Sequence, residues 1–355
     1  MAELTHGGDV YSLAEECAGP ILDFSANINP LGLPEGVRRA AEASLADCAR
    51  YPDPLCRGLR KALGERLGLG PELILCGNGA ADLIFRMALA LRPRRGLIPA
   101  PTFSEYARAL EAAGCRTETH FLREEDEFRV TGDLLERLEP GLDILCLCSP
   151  NNPTGWPVEP ALLEEILLRC RENGTAVLLD ECFVSFLDEP ERYTMVPRLR
   201  EFPNLVILRA FTKLYAMAGL RLGFCLSADA ALLEEMSRRG QPWGVSIPAQ
   251  AAGMAALGEA EYLRRTRELI PRERAFLREG LEGLGFPVVG SRANYLFFRG
   301  PDGALARRLR PMGILLRNCG NYPGLGPGWY RAAVRAREEN AAFLAALKKV
   351  KEGKG

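Results

Sequence analysis

The stretch Phe211-Thr-Lys-Leu-Tyr-Ala-Met-Ala-Gly-Leu-Arg-Leu-Gly223 puts one lysine on what reads as a strand exit, with an arginine eight residues on and glycines around it. A lysine amine condenses with a carbonyl to give a Schiff base, and a fixed guanidinium grips a phosphate ester. Lys213 and Arg221 together therefore suit a phosphorylated aldehyde cofactor, the chemistry of pyridoxal 5'-phosphate.

Three further stretches bear on that chemistry. Leu73-Ile-Leu-Cys-Gly-Asn-Gly-Ala-Ala81 reads as a strand passing through a Gly-Asn-Gly turn into a helix. Free N–H groups at such a helix start bind anions and Gly79 lets a phosphate approach, although a plain strand-to-helix turn has the same spelling. In Ser149-Pro-Asn-Asn-Pro-Thr-Gly155, Asn152 can donate to a phenolate oxygen on a cofactor ring, while asparagine beside proline also serves ordinary turns. Asp180, at the end of an apolar run and followed by Glu181, can keep a pyridine nitrogen protonated; the bland alternative is a solvated acidic pair. Phe103 in Pro-Thr-Phe-Ser-Glu-Tyr106 can stack on a ring face or simply join the core.

Positioning these residues requires a sheet. Short apolar runs recur at 73–76, 96–99, 144–148, 176–179, 205–208 and 222–226, alternating with helical spacing at 81–91, 103–113 and 160–172. Continuous apolar strands separated by helices predict an α/β fold, doubly wound around a mainly parallel sheet, with ligands beyond the carboxyl ends of the strands. After residue 240 one long helical region, 259–284, and strands at 288–289, 295–298 and 330–334 predict a smaller α+β domain. The expected division is an N-terminal arm over 1–30 with a weak helix near 12–17, a large domain over 31–240 and a small C-terminal domain over 241–355.

Composition narrows the class of partner. Forty-five basic residues against forty-six acidic ones leave a formal charge of −1, so neither nucleic acid nor an anionic membrane is expected as a partner. The N-terminus has no signal-peptide pattern and no apolar run approaches a membrane span, which predicts a cytoplasmic protein. Eleven cysteines without a Cys-x-x-Cys, and two histidines, predict reduced and mostly buried thiols and no metal site. Cys146 and Cys148 should face one side of their strand as core.

The motifs Gly77-Asn-Gly79, Ser149 to Gly155, Asp180-Glu181, Phe211-Thr-Lys213 and Gly219 to Gly223 resemble, in order and spacing, the fold-type I pyridoxal phosphate enzymes of the class I/II aminotransferase family, over nearly the whole chain. That resemblance implies Lys213 as the Schiff-base lysine, Asp180 on the pyridine nitrogen and Asn152 on the ring oxygen. It further implies Gly79, Ala80, Thr212 and Arg221 at the cofactor phosphate and Phe103 over the ring. Tyr51 resembles the tyrosine that reaches a neighbouring subunit's phosphate, so a homodimer is implied. Ala210 stands where many relatives have serine, which implies one phosphate hydrogen bond fewer.

The chain ends discriminate within the family. His6-Gly-Gly8, Leu22 to Gly32, Arg317 to Gly324 and Trp329-Tyr-Arg331 resemble the threonine-phosphate decarboxylases of cobalamin synthesis more than the histidinol-phosphate aminotransferases. The branch implies decarboxylation of O-phospho-L-threonine; amino transfer and an O-phospho-L-serine substrate stay open. Arg317 and Arg331 supply two guanidiniums for a substrate bearing a carboxylate and a phosphate, and His6, Gly7 and Asn27 can close the site from the arm. Arg335 and Arg337 read as surface charges at a helix start, and Asp9 stands where asparagine is expected.

Overall fold

The computed structural model describes residues 6–17 and 19–353; the first five residues of the expected arm lie outside the described residues. Its centre is a seven-stranded sheet. From edge to edge the strands are Ile74–Gly77, Gly223–Ser227, Leu205–Ala210, Ala176–Asp180, Ile144–Cys148, Arg95–Ala100 and Arg116–Phe121. All neighbours pair in parallel except those of Gly223–Ser227, which runs against both flanking strands. Helices Gly79–Leu91, Glu105–Ala112 and Pro160–Glu172 fall where the apolar spacing places them. Strands Ile144–Cys148, Ala176–Asp180 and Leu205–Ala210 lie side by side in parallel, so the strand ends carrying Cys148, Asp180 and Ala210 share one edge of the sheet.

Arg116–Phe121 is a strand the apolar-run reading omits. Only His120 of its six residues is buried, because it lies at the sheet edge and its Arg-Thr-Glu-Thr spelling meets solvent. Along Ile144–Cys148, Ile144, Cys146 and Cys148 enter the core on one face of the sheet while Leu145 and Leu147 enter the other. All eleven cysteines are free thiols, eight of them buried.

A four-stranded antiparallel sheet forms the second layer, in the order Arg317–Asn318, Trp329–Ala333, Tyr295–Arg299, Val288–Val289. It packs with Arg337–Lys351 and the second half of the 24-residue helix Ala260–Gly283 around Phe298, Leu277, Leu281 and Phe343. Val245, Ala249, Ala252, Ala256 and Tyr262 belong instead to the core of the large sheet. The expected boundary at 240/241 therefore precedes a helix, Ile247–Leu257, that still packs on the large layer.

The arm is built in from Leu22 onward. Leu22–Asp23 pairs in parallel with Ile314–Leu315, and Phe24, fully buried, stacks on Phe343 at 4.4 Å. Asn29 donates to Leu214 O at 2.9 Å and Thr266 Oγ1 at 2.8 Å, while its N–H meets Lys213 O at 3.1 Å. The arm thus braces the turn that carries Lys213. Helix Val10–Glu16 begins two residues before the expected one, and Asp9 caps it by accepting from Ser12 N at 3.2 Å, which supplies a physical reason for an aspartate there. Arg337 corrects its reading as a plain surface charge: it binds Glu273, whose side chain is fully buried, at 3.0 Å. Such a carboxylate would be costly without its guanidinium. Arg335 pairs with Glu339 on the same helix at 2.8 Å.

Candidate active site

A cavity of about 460 Å³ opens where the ends of the large-sheet strands meet the arm and the small sheet. Ala80, Phe103, Asn152, Asp180, Thr212, Lys213 and Arg221 line it from the large layer. Arg317 and Arg331 line it from the small sheet, and His6, Gly7 and Asn27 from the arm. Gly79 sits just behind, at φ +79°, and a Cβ there would lie 2.4 Å from Arg221 Nη2. A side chain at that position would push the guanidinium out of the cavity wall.

Lys213 lies on the one-turn helix Phe211–Leu214 that follows strand Leu205–Ala210 directly. Burial, and after it the nearby Arg331 charge, push its ammonium down from 10.5 to about 8. Asp180 shows the mirror effect: burial raises its carboxyl, opposed by hydrogen bonds from Cys182 and Tyr106. Tyr106 donates to Oδ2 at 2.6 Å and the Cys182 N–H to Oδ1 at 2.9 Å, so the carboxylate is oriented but has no cation against it among the described residues. An amine short of an electrophile and a buried acid short of a cation are the two deficits that a protonated pyridine aldehyde fills. Thr212 and Arg221 provide a hydroxyl and a guanidinium on the same wall, suited to a phosphate. The residues present thus fit pyridoxal phosphate.

The adjacent asparagines divide their work. Asn151 ties the turn together, accepting from Thr102 Oγ1 at 2.7 Å and donating to Pro101 O at 2.9 Å. Asn152 Oδ1 accepts from Arg331 Nη1, which leaves the amide N–H groups of Asn152 for an oxygen in the cavity. Glu181 is buried, as Asp180 is, so the two do not form the solvated acidic pair of the bland alternative. Glu181 turns away to Arg209 at 2.6 Å, Thr194 at 2.8 Å and Met195 N at 2.7 Å, since side chains on successive strand-end residues point to opposite faces.

Arg317 and Arg331 stand directly opposite each other in an antiparallel pair, each at most 9% exposed. Their partners among the described residues are neutral oxygens: Asn321 Oδ1 at 2.9 Å for Arg317, and Ser25 O at 2.6 Å with Asn152 for Arg331. Like charges opposite one another in a sheet repel, and buried ones without an anion are costly. Arg331 Nε and Asn27 Oδ1 are buried without any hydrogen-bond partner. The two guanidiniums suit this end of the cavity to anions that the described residues do not supply, while the Asn27 oxygen there calls for a donor.

The sequence profile described as "Aminotransferase class I and II" matches residues 19–347. The chain belongs to this family. Its members depend on pyridoxal 5'-phosphate, and the α/β architecture is that of fold type I. Among similar proteins, a threonine-phosphate decarboxylase of Salmonella typhimurium is 41% identical over 98% of this chain and 97% of its own. A histidinol-phosphate aminotransferase of Cupriavidus pinatubonensis is 35% identical over 93% of this chain and 88% of its own. The solved histidinol-phosphate aminotransferase of Clostridium acetobutylicum superposes with a TM-score of 0.88 at 27% identity, over 94% of this chain and all of that one.

Tyr51 lies outside the cavity, 75% exposed and stacked on Trp243 at 4.4 Å. Several family-site neighbours escaped the motif reading. Tyr106, in the first turn of helix Glu105–Ala112, meets the Phe103 ring edge-on at 5.6 Å, and their closeness in the chain was available in the sequence. Glu105, which accepts from His6 Nε2 and Arg108 Nη1, both at 2.8 Å, and Tyr322, on the cavity wall, had no such local signal. No described helix is long and apolar enough to cross a membrane.

Proposed function

We propose that this protein decarboxylates O-phospho-L-threonine to (R)-1-amino-2-propanol O-phosphate and CO₂, a step of cobalamin biosynthesis, in the cytoplasm and as a homodimer. The carrying observation is the cross-strand pair Arg317 and Arg331, two buried guanidiniums that line the cavity without a carboxylate partner among the described residues. A substrate with one carboxylate and one phosphate neutralises both. The threonine-phosphate decarboxylase of Salmonella, similar along nearly its whole length, supports the same reading.

In this reading Lys213 and Asp180 are the catalytic groups. Gly79, Ala80, Thr212 and Arg221 hold the cofactor phosphate, Asn152 meets the ring oxygen, and Phe103 covers the ring. His6, Gly7, Asn27, Asn152, Arg317 and Arg331 receive the substrate. The large part over 31–240 carries the cofactor, while the arm over 1–30 and the small part over 241–355 close the substrate end. Pyridoxal phosphate, when bound, supplies the electron sink for the pair left on Cα when a substituent departs. Arg331, fixed by Asn152 and Ser25, orients the substrate carboxylate, and that orientation decides whether CO₂ or a proton leaves. Lys213 Nζ, buried and close to neutral in affinity, can return a proton to Cα. Asp180 holds positive charge at a nitrogen placed against it.

The deciding experiment is product analysis with O-phospho-L-threonine, and in parallel histidinol phosphate with 2-oxoglutarate. Release of CO₂ and aminopropanol phosphate in the first tube is expected. Glutamate in the second with no CO₂ from the first would overturn the proposal in favour of amino transfer, the reading that the Cupriavidus relative supports. O-phospho-L-serine run beside the first substrate measures how far one methyl group matters, about 1–3 kcal/mol in a pocket.

The exposed Tyr51–Trp243 stack supports the homodimer, because two large aromatics left in solvent suit a surface covered by a second copy. With Tyr51 serving the partner's cofactor phosphate, co-expressed Tyr51→Ala and Lys213→Ala chains should restore part of the activity that each lacks alone. Complementation fails if Tyr51 acts within its own chain.

A further inference from the structure

Tyr322 lines the site beside Arg317. Its ring lies under Arg317, whose Cζ is 5.1 Å from the ring centroid, and the residue is 8% exposed on the cavity wall. Arg317 itself donates to Asn321 Oδ1 at 2.9 Å. Arg317 is stacked on the ring, and a guanidinium only donates, so it cannot take the phenolic proton. Arg331, the other charge close to it, cannot accept that proton either. Burial keeps the phenol above its ordinary range, so the hydroxyl carries its proton at neutral pH.

We infer that Tyr322 is a specificity-determining residue that donates its phenolic proton to a phosphate oxygen of a substrate seated on Arg317. This rests on the proposal that the substrate is a phosphorylated amino acid. A guanidinium fork satisfies two oxygens of a tetrahedral phosphate and leaves a third. Tyr322 supplies a donor for it without adding a third positive charge to a pair that already repels. A planar carboxylate on the same fork has no third oxygen, so the hydroxyl favours phosphate over carboxylate at this subsite.

Tyr322→Phe keeps the ring under Arg317 and removes only the hydroxyl. Calorimetric titration of the cofactor-loaded protein with 1-amino-2-propanol O-phosphate should show binding about tenfold weaker or more, the scale of one hydrogen bond to a charged group. L-threonine, which has no phosphate, should bind within about twofold of the unaltered protein. Equal weakening of both ligands, or no weakening of either, overturns the inference. Should Tyr322→Phe fold poorly, a fluorinated tyrosine at position 322 keeps the shape and makes a stronger donor. Tighter binding of the phosphate ligand is then expected, and unchanged or weaker binding sinks the idea. A protein that turns out to transaminate histidinol phosphate must show the same phosphate-selective loss with that substrate, so the two proposals fail separately.

Discussion

Lys213→Ala is expected to lower kcat by about 10⁴-fold or more, the upper end of what one positioned proton-transfer group supplies. Unaltered single-turnover rates in that variant would refute the role of Lys213. The same residue has an opposite effect on stability. Its folded affinity for a proton falls from 10.5 to about 8 because it is buried beside Arg331. Between those two values the unfolded chain binds more protons than the folded one, so this group's contribution to stability rises with pH there. Below about pH 8 the buried ammonium exerts its full cost, on the order of 3 kcal/mol for a shift of this size. Lys213→Met should therefore raise the melting temperature of the cofactor-free protein at pH 7 by a few degrees, with the gain shrinking toward pH 10. A variant that melts lower at pH 7 would show that the lysine is not strained by burial.

Arg331→Lys is expected to cut kcat/KM by about 10²–10³-fold while the cofactor stays bound within a few-fold of its original affinity. The guanidinium holds Asn152 and Ser25 O at once and still faces the cavity. A lysine retains the charge but cannot span those partners and a carboxylate together. The loss should fall on both KM and kcat, because a misdirected carboxylate binds less well and also presents the wrong bond for cleavage. A small share of amino transfer products from O-phospho-L-threonine would be a direct sign of that misdirection. Full kcat/KM in Arg331→Lys would mean that charge alone suffices there.

These two residues also differ in how legible they were. Lys213 stands in a local spelling, Phe-Thr-Lys followed by Gly-Leu-Arg-Leu-Gly, where strand end, turn and Arg221 lie within a dozen residues. Arg331 was legible as a guanidinium near the C-terminus, but its burial opposite Arg317 was not. Two strands of a small sheet had to find their register first. The strand Ile144–Cys148 and helix Pro160–Glu172 matched their apolar spacing residue for residue, whereas Arg116–Phe121 went unseen because an edge strand needs few apolar side chains.

By itself the sequence determined the order of the buried strands and the helices between them, the chemistry-bearing residue types and the edge of the sheet at which Asp180 and Lys213 emerge. Those depend on periodicity and on short turns, which neighbours along the chain encode. Tertiary structure alone decided that Glu181 turns to Arg209, that Tyr106 orients Asp180 and that Tyr51 points to solvent. It also decided that the Tyr322 ring packs against Arg317 on the cavity wall. Each of those outcomes joins residues far apart in the chain, or leaves one without a partner. Which groups are buried together, and so which charges go uncompensated, is set by packing across layers rather than by any local pattern.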